Sequence, residues 1–369
     1  KAHMKIMLNG ATGGTNFGDY LFAEIFQNEV ASLVGEENVY WYQSRYSMSD
    51  FYCRHLHYDR RRCRLSEIDA LVSISGGYFC GADHGFRDYL IRYLRYFRLS
   101  LQCIRRKIPI AILGVEVAAS KSRWLDRVQR YILTHAEVVT VRNEESLRQL
   151  QAYGVQNGIL TADTAHTVRE TLRVGGPADK VDAHAGKKLF FHVQYNQLAV
   201  AKRQIEALNL FLAQHPEYTV YIGADQYVPD EAQRLSDLAA LIKANSIKAV
   251  PFDDPKDLCR TLSQMDFIVT PKLHVGIVGA TYGKSVVSFS VHSEKIGRFY
   301  KQLHEEGRSL PMSAFTVEKA VSMMDTYCST PMRVPEKITE LAYENVRILR
   351  DFIKSLSGDH QGDKHEIKE

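Results

Sequence analysis

Apolar residues in this chain follow two alternating rhythms. Short runs rich in β-branched and aromatic residues are separated by longer stretches in which apolar positions recur every three or four residues. The first pattern fits buried strands and the second amphipathic helices, and their alternation predicts βα units with parallel sheets. In the first half, strands are expected at 5–9, 38–43, 70–75, 108–116, 137–142 and 158–162, with helices at 20–30, 86–105, 123–134 and 144–153. The last of these has readable ends: Asn143 is placed to cap its start, and Gly154 stands where a left-handed terminator belongs.

The stretch 174–188 (VGGPADKVDAHAGKK) has no periodicity and reads as a linker. Beyond it the pattern resumes, with strands expected at 189–194, 218–224, 248–252, 266–270 and 285–290 and helices between them. Pro335 can open a final helix, 331–356 with its lead-in, and 357–369 reads as a disordered polar tail. A chain of 369 residues exceeds one ordinary core. The expected fold class is therefore α/β, with two Rossmann-like domains, 1–173 and 189–330, whose parallel sheets face each other across a cleft.

Composition narrows the function. At 45% hydrophobic and 24% charged, the chain is that of a soluble globular protein, and its longest apolar runs fall short of a membrane span. No signal peptide opens it, Lys1-Ala2-His3-Met4 reads as an expression remnant, and a cytoplasmic location is expected. The 6 cysteines form no C-x-x-C pair, which favours reduced thiols. No His/Asp/Glu cluster has ligand spacing, so no metal is expected. A net charge of +4 suits an anionic metabolite and does not argue for nucleic acid. Arg60, Arg61, Arg62, Arg64 and the Arg/Tyr/Phe-rich stretch 87–107 have two readings: a core-packed helix with snorkelling arginines, or peripheral contact with a membrane carrying an anionic substrate.

Ligands of open parallel sheets bind beyond the carboxyl ends of the strands. In the first half that edge carries the Gly-rich loop with Asn16, Gly18 and Asp19, then Gly76 and Gly77, Glu116, Arg142 and Asp163. In the second half it carries Gln194, Asn196, Asp225, Lys272, His274, His292 and Lys295. The Gly-rich loop matches neither standard phosphate-binding motif and is equally readable as a turn or a ligand loop. Arg142 could clamp a carboxylate or phosphate, or could pair with Asp163 or Glu144. His274 lies in a first helical turn between two lysines, an arrangement suited to acid–base work on an anion, though a satisfied core histidine is the plain alternative. Lys295 is either a ligand cation or a solvated lysine.

Several of these pieces occur together in one family. Gly10 to Tyr20 (G-x-x-x-x-x-N-x-G-D-Y), the S-I-S-G-G turn, V-T-V-R-N-E-E-S-L-R-Q-L-Q-A-Y-G-V (139–155), T-A-D (161–163), D-F-I-V-T-P-K-L-H (266–274) and S-V-H-S-E-K-I-G-R-F-Y (290–300) appear in that order. With them the chain resembles the polysaccharide pyruvyl transferase family from about Lys5 to Leu303. The resemblance implies a GT-B-like fold, with an acceptor-side N-terminal and a donor-side C-terminal domain. It also implies transfer of a pyruvyl group from phosphoenolpyruvate onto two sugar hydroxyls, with release of phosphate and no further cofactor. The acceptor would be a polysaccharide or its lipid-linked precursor.

Carried over by position, the family's arginine, histidine and lysine fall on Arg142, His274 and Lys295. Lys272, Asn16, Gly18, Asp19, Gly76, Gly77, Glu116 and Asp163 would line the substrate sites. The family commonly has R-L-H where this chain has Lys272-Leu273-His274, and a lysine keeps the charge but loses the forked geometry. The turn after the fourth strand also departs, reading GVEVAAS at 114–120. Two other functions fit the same architecture: a glycosyltransferase using a sugar nucleotide, and a non-catalytic glycan-binding member. Oligomeric state is not legible.

Overall fold

The computed structural model describes residues 4–80, 85–175 and 186–362. Contacts divide the chain into two compact units. One comprises residues 1–15, 19–164 and 337–369; the other comprises 16–18 and 165–336.

The first unit is built on a 7-stranded parallel sheet: β1 (Ile6–Asn9), β2 (Val39–Trp41), β3 (Ala70–Ser73), β4 (Gly76–Phe79), β5 (Ile110–Val117), β6 (Val138–Val141) and β7 (Ile159–Leu160). The order is β2-β1-β3-β5-β6-β7, with β4 pairing to β5. Both faces of the central strands are covered, which explains why β1, β3 and β5 are buried at every position and read as continuous apolar runs. The Glu144–Tyr153 helix has the expected ends: the Asn143 side chain accepts from the Ser146 N–H, and Gly154 adopts φ 87°. Gly76 and Gly77, expected in a turn, instead open β4, because the chain beyond β3 runs on alongside β5.

The Arg/Tyr/Phe-rich stretch forms a helix from Phe86 to Arg105, interrupted by a π-helical turn at Tyr93–Phe97. Tyr96, Phe97, Leu99 and Cys103 from it lie in the core. Arg92 donates to the carbonyls of Tyr78 and Cys80. These contacts match the core-packed reading of this stretch. No helix among the described residues is long and apolar enough to cross a membrane.

The final helix, Glu336–Gly362, extends past its expected end at 356, and residues 363–369 of the expected tail lie outside the described residues. From Lys337 onward it belongs to the first unit. Ala342, Val346 and Leu349 bury one stripe, and Asn345 is fully buried beside them. That amide accepts from the Thr140 and Thr161 hydroxyls and donates to the Ala162 carbonyl. Fully satisfied, such a network adds register to an otherwise apolar contact.

The second unit has a 6-stranded sheet: β8 (Lys188–His192), β9 (Thr219–Gly223), β10 (Ile247–Val250), β11 (Phe267–Thr270), β12 (Ser285–Ser290) and β13 (Ser309–Pro311). Its order is β10-β9-β8-β11-β12-β13, all parallel. Numbered within the unit this is 3-2-1-4-5-6, the Rossmann order, so strand order reverses between β8 and β11. The unit begins at Ala165, ahead of the boundary expected at 173. The cause is local packing: the Tyr282 hydroxyl donates to the Val174 carbonyl, and His166 lies 3.4 Å from the Thr281 hydroxyl. Of the expected linker, 176–185 lie outside the described residues.

Candidate active site

The reversal point between β8 and β11 is where an open α/β sheet offers a crevice for a ligand. His192 ends β8 and Thr270 ends β11, in neighbouring positions on adjacent strands. The His192 Nδ1 is 2.7 Å from Thr270 Oγ1, and its Nε2 is 3.3 Å from Asp225 Oδ1. The imidazole is fully buried and Asp225 nearly so. The Thr270 hydroxyl also accepts from the Lys272 N–H at 3.1 Å, which ties the first turn of the next helix to this pair.

That helix, Leu273–Thr281, has Lys272 at its cap position and His274 in its first turn. Val275 and Ile277 to Ala280 are buried against the sheet, while Lys272 and His274 stay half-buried at its amino end. Backbone N–H groups at such an end favour an anion. The next helix, Ser293–Gln302, follows the neighbouring strand β12 and carries a half-buried Lys295 in its first turn. The two helices follow the carboxyl ends of β11 and β12, which pair in parallel, so their amino ends share one sheet edge. The carboxyl edge of this unit thus carries Lys272, His192 and His274 around the Asp225 carboxylate, with His292 and Lys295 at the head of the neighbouring helix.

The charge on Asp225 reflects these neighbours. Burial pushes its pKa up, but the adjacent His192, by charge and hydrogen bond, outweighs this with help from Lys272 and His274, and the value falls from 3.8 to about 2. A depressed carboxylate stabilises the fold at pH above its ordinary value, and that contribution is lost as pH falls toward 2. Asp225→Asn should therefore cost about 2 kcal/mol near neutrality. In urea titrations the gap between wild type and variant should close as pH drops from about 4 to about 2. A gap that stays constant would assign the loss to packing rather than charge.

Residues 16–18 cluster with this second unit. The Phe17 N–H donates to the Asp225 carbonyl at 2.9 Å, and Asn16 bridges to Gln226. A Cβ on Gly18 would lie 1.8 Å from His274 Nδ1, so the imidazole rests directly on bare backbone. Glycine is required there by contact, not by an unusual φ. Of the residues expected from sequence, the structure thus gathers Asn16, Gly18, Lys272 and His274 around Asp225, with Lys295 on the same sheet edge.

Asp19, Gly76, Gly77, Glu116, Arg142 and Asp163 belong to the first unit. Glu116 lies within β5, Arg142 follows β6 and Asp163 follows β7, so three adjacent strands bring them together. Arg142 Nη1 donates to Asp163 at 2.8 Å and Nη2 to Glu116, all three side chains being buried. Burial works against the guanidinium's charge, but the two carboxylates outweigh it and raise its pKa above the ordinary arginine value. The fork expected to clamp a ligand is occupied by protein carboxylates, and the pairing with Asp163 is one of the two alternatives open from sequence. Glu144, the other, stands in the first turn of the following helix instead. Asp19 is in the first turn of the Phe17–Val34 helix and half-buried; Gly76 and Gly77 sit in β4.

His192 is the residue that sequence reasoning passed over. It sits inside an apolar run, LFFHVQ, and reads as part of a buried strand. The available signal was its position, an imidazole at the carboxyl end of a first Rossmann strand.

A comparison with curated protein sequences finds no match. Among solved structures, the MnaA–UDP complex of S. aureus matches with a TM-score of 0.61 at 12% identity, covering 96% of this chain and 97% of that one. The UDP-GlcNAc 2-epimerase of Neisseria meningitidis bound to UDP-GlcNAc matches with a TM-score of 0.60 at 11% identity, over 95% and 100%. A UDP-N-acetylglucosamine 2-epimerase structure from Listeria monocytogenes gives 0.61 at 12%, over 97% and 98%. At such identities the likeness is one of fold, the GT-B type. The family model for polysaccharide pyruvyl transferase matches residues 16–293, which take in the 16–18 turn, the Arg142 cluster and the whole β8–β11 edge as far as Ser293. This chain belongs to the polysaccharide pyruvyl transferase family.

Proposed function

We propose that the protein transfers a pyruvyl group from phosphoenolpyruvate to two hydroxyls of a saccharide, forming a ketal and releasing phosphate. The observation that carries this reading is the cationic edge at the β8/β11 reversal, where Lys272 and His274 stand at a helix amino end beside the His192–Asp225 pair. Phosphoenolpyruvate has a carboxylate and a phosphate on one enol carbon, and Lys272, Lys295 and the helix N–H groups supply complementary charge.

The reaction adds a proton to the methylene carbon and a sugar oxygen to the central carbon; phosphate then leaves and a second sugar oxygen takes its place. Of the two hydroxyl protons lost, one balances the new methyl group and the other leaves with phosphate. His274 serves as the proton-transfer group, since an imidazole can both accept and donate a proton. Asp225 and His192 fix the surrounding polar groups. Arg142 holds Glu116 and Asp163 in a set orientation in the first unit.

The deciding assay incubates the protein with phosphoenolpyruvate and saccharide acceptors, and separately with UDP-sugars. Acceptor-dependent phosphate release is the expected result. Release of nucleoside diphosphate from a sugar nucleotide, with none of phosphate from phosphoenolpyruvate, would replace this reading with glycosyl transfer.

A further inference from the structure

We infer that the first unit binds a phosphate or diphosphate group carried by the acceptor saccharide, in a cavity beside the Gly-rich loop. This rests on the pyruvyl-transfer reading, which requires an acceptor, and it names that acceptor's chemical class.

The cavity has a volume of about 670 Å³ and three walls. One is the loop after β1, at Gly13. The second is the turn 44–50 after β2, fastened to that loop: the Met48 N–H donates to Thr12 Oγ1 at 3.1 Å, the Ser49 N–H to the Thr12 carbonyl at 2.9 Å, and the Ser49 hydroxyl to the Gly14 carbonyl at 2.7 Å. The third is the π-helical turn with Arg95. Such turns insert a residue into a helix and recur at functional sites.

The lining is cationic. Arg45, Arg60 and Arg95 face a single carboxylate, Asp50, which is paired with Arg60. Arg95 Nε is buried without a hydrogen-bond partner, and among the described residues Arg95 joins no ion pair. A Cβ on Gly13 would lie 2.3 Å from Arg95 Nη2 and 2.0 Å from the Tyr46 carbonyl oxygen, so the guanidinium lies directly against glycine backbone. Burying a guanidinium N–H with no acceptor is costly unless an anion completes it. Phosphate oxygens match a guanidinium fork, and two arginines without acidic partners match two negative charges. The volume exceeds what a phosphate fills and leaves room for a sugar ring. The donor's own anionic groups are matched by the second unit's lysines, so this cavity falls to the acceptor.

The test is isothermal titration of inorganic pyrophosphate, glucose 1-phosphate and methyl glucoside into the wild-type protein, Arg95→Met and Arg45→Ala, with and without saturating phosphoenolpyruvate. Wild type should bind the two phosphates and not the neutral glucoside. Each substitution should weaken phosphate binding at least about tenfold, while phosphoenolpyruvate affinity holds. Tighter binding of pyrophosphate than of glucose 1-phosphate would point to a diphosphate-linked carrier, and equal binding to a phosphorylated sugar. Unchanged pyrophosphate affinity in both variants would overturn the assignment. Arg45 is exposed on its turn, so Arg45→Ala carries the test if Arg95→Met does not fold. Should wild type fail to bind phosphoenolpyruvate while the variant losses persist, the cavity assignment stands and the donor reading falls.

Discussion

His274→Ala is expected to lower acceptor-dependent phosphate release by about 10²- to 10⁴-fold, the usual worth of a positioned acid–base group. Folding should be almost unaffected. The imidazole is half-buried at a helix amino end, resting on Gly18, outside the apolar core of the unit. Donor binding should persist, because Lys272, Lys295 and the helix N–H groups remain. The loss belongs in kcat, with phosphoenolpyruvate KM changed little. His274→Gln separates roles further: it keeps a polar side chain that can hydrogen-bond but cannot exchange a proton near neutrality. If the glutamine variant turns over at wild-type rate, proton transfer is not His274's task. If both variants fail to bind phosphoenolpyruvate while remaining folded, the imidazole is a binding group instead.

The helix at 144–153 was legible to the residue because both its punctuation marks are local: an Asn cap and a left-handed Gly act within one turn. Strand β12 was equally plain, an apolar run between polar turns. The β4 strand was not, because Gly76 and Gly77 have turn chemistry and become strand only through pairing with β5, far away in sequence. The candidate site divides in the same way. Lys272 and His274 stand out as charge where a buried helix begins, a local anomaly. His192 does not, since a single imidazole in an apolar run differs little from a core residue until the strand order shows that β8 and β11 flank the reversal point. Arg142 is the mixed case. Its position after β6 was readable, but its partners are set by the order β5-β6-β7, which no local pattern encodes. Arg95 was hidden in a run of arginines, and the π-helical turn singles it out by pressing it onto Gly13.

Arg142→Met is expected to destabilise the protein by about 3–5 kcal/mol near neutral pH, the cost of stranding buried charge by removing its partner. Glu116 and Asp163 would then face each other in a desolvated site with no cation between them. One of them should respond by holding a proton, its folded pKa rising above the ordinary carboxylate value. The folded state then binds more protons than the unfolded state, so stability must fall as pH rises through that raised value and recover below it. Urea titrations at about pH 5 and about pH 8 should show the variant closer to wild type at the lower pH. A loss of equal size at both would mean that packing, not charge, is the source. Adding Glu116→Gln and Asp163→Asn to Arg142→Met should restore most of the stability, because the three residues act as one unit and their effects are not additive. The same variants decide what the guanidinium is for. If Arg142→Met, folded at the lower pH, binds phosphoenolpyruvate as wild type does, Arg142 serves the two carboxylates and the donor is held by the second unit's lysines. If donor affinity falls in parallel with the charge, the fork must release a carboxylate to take the ligand.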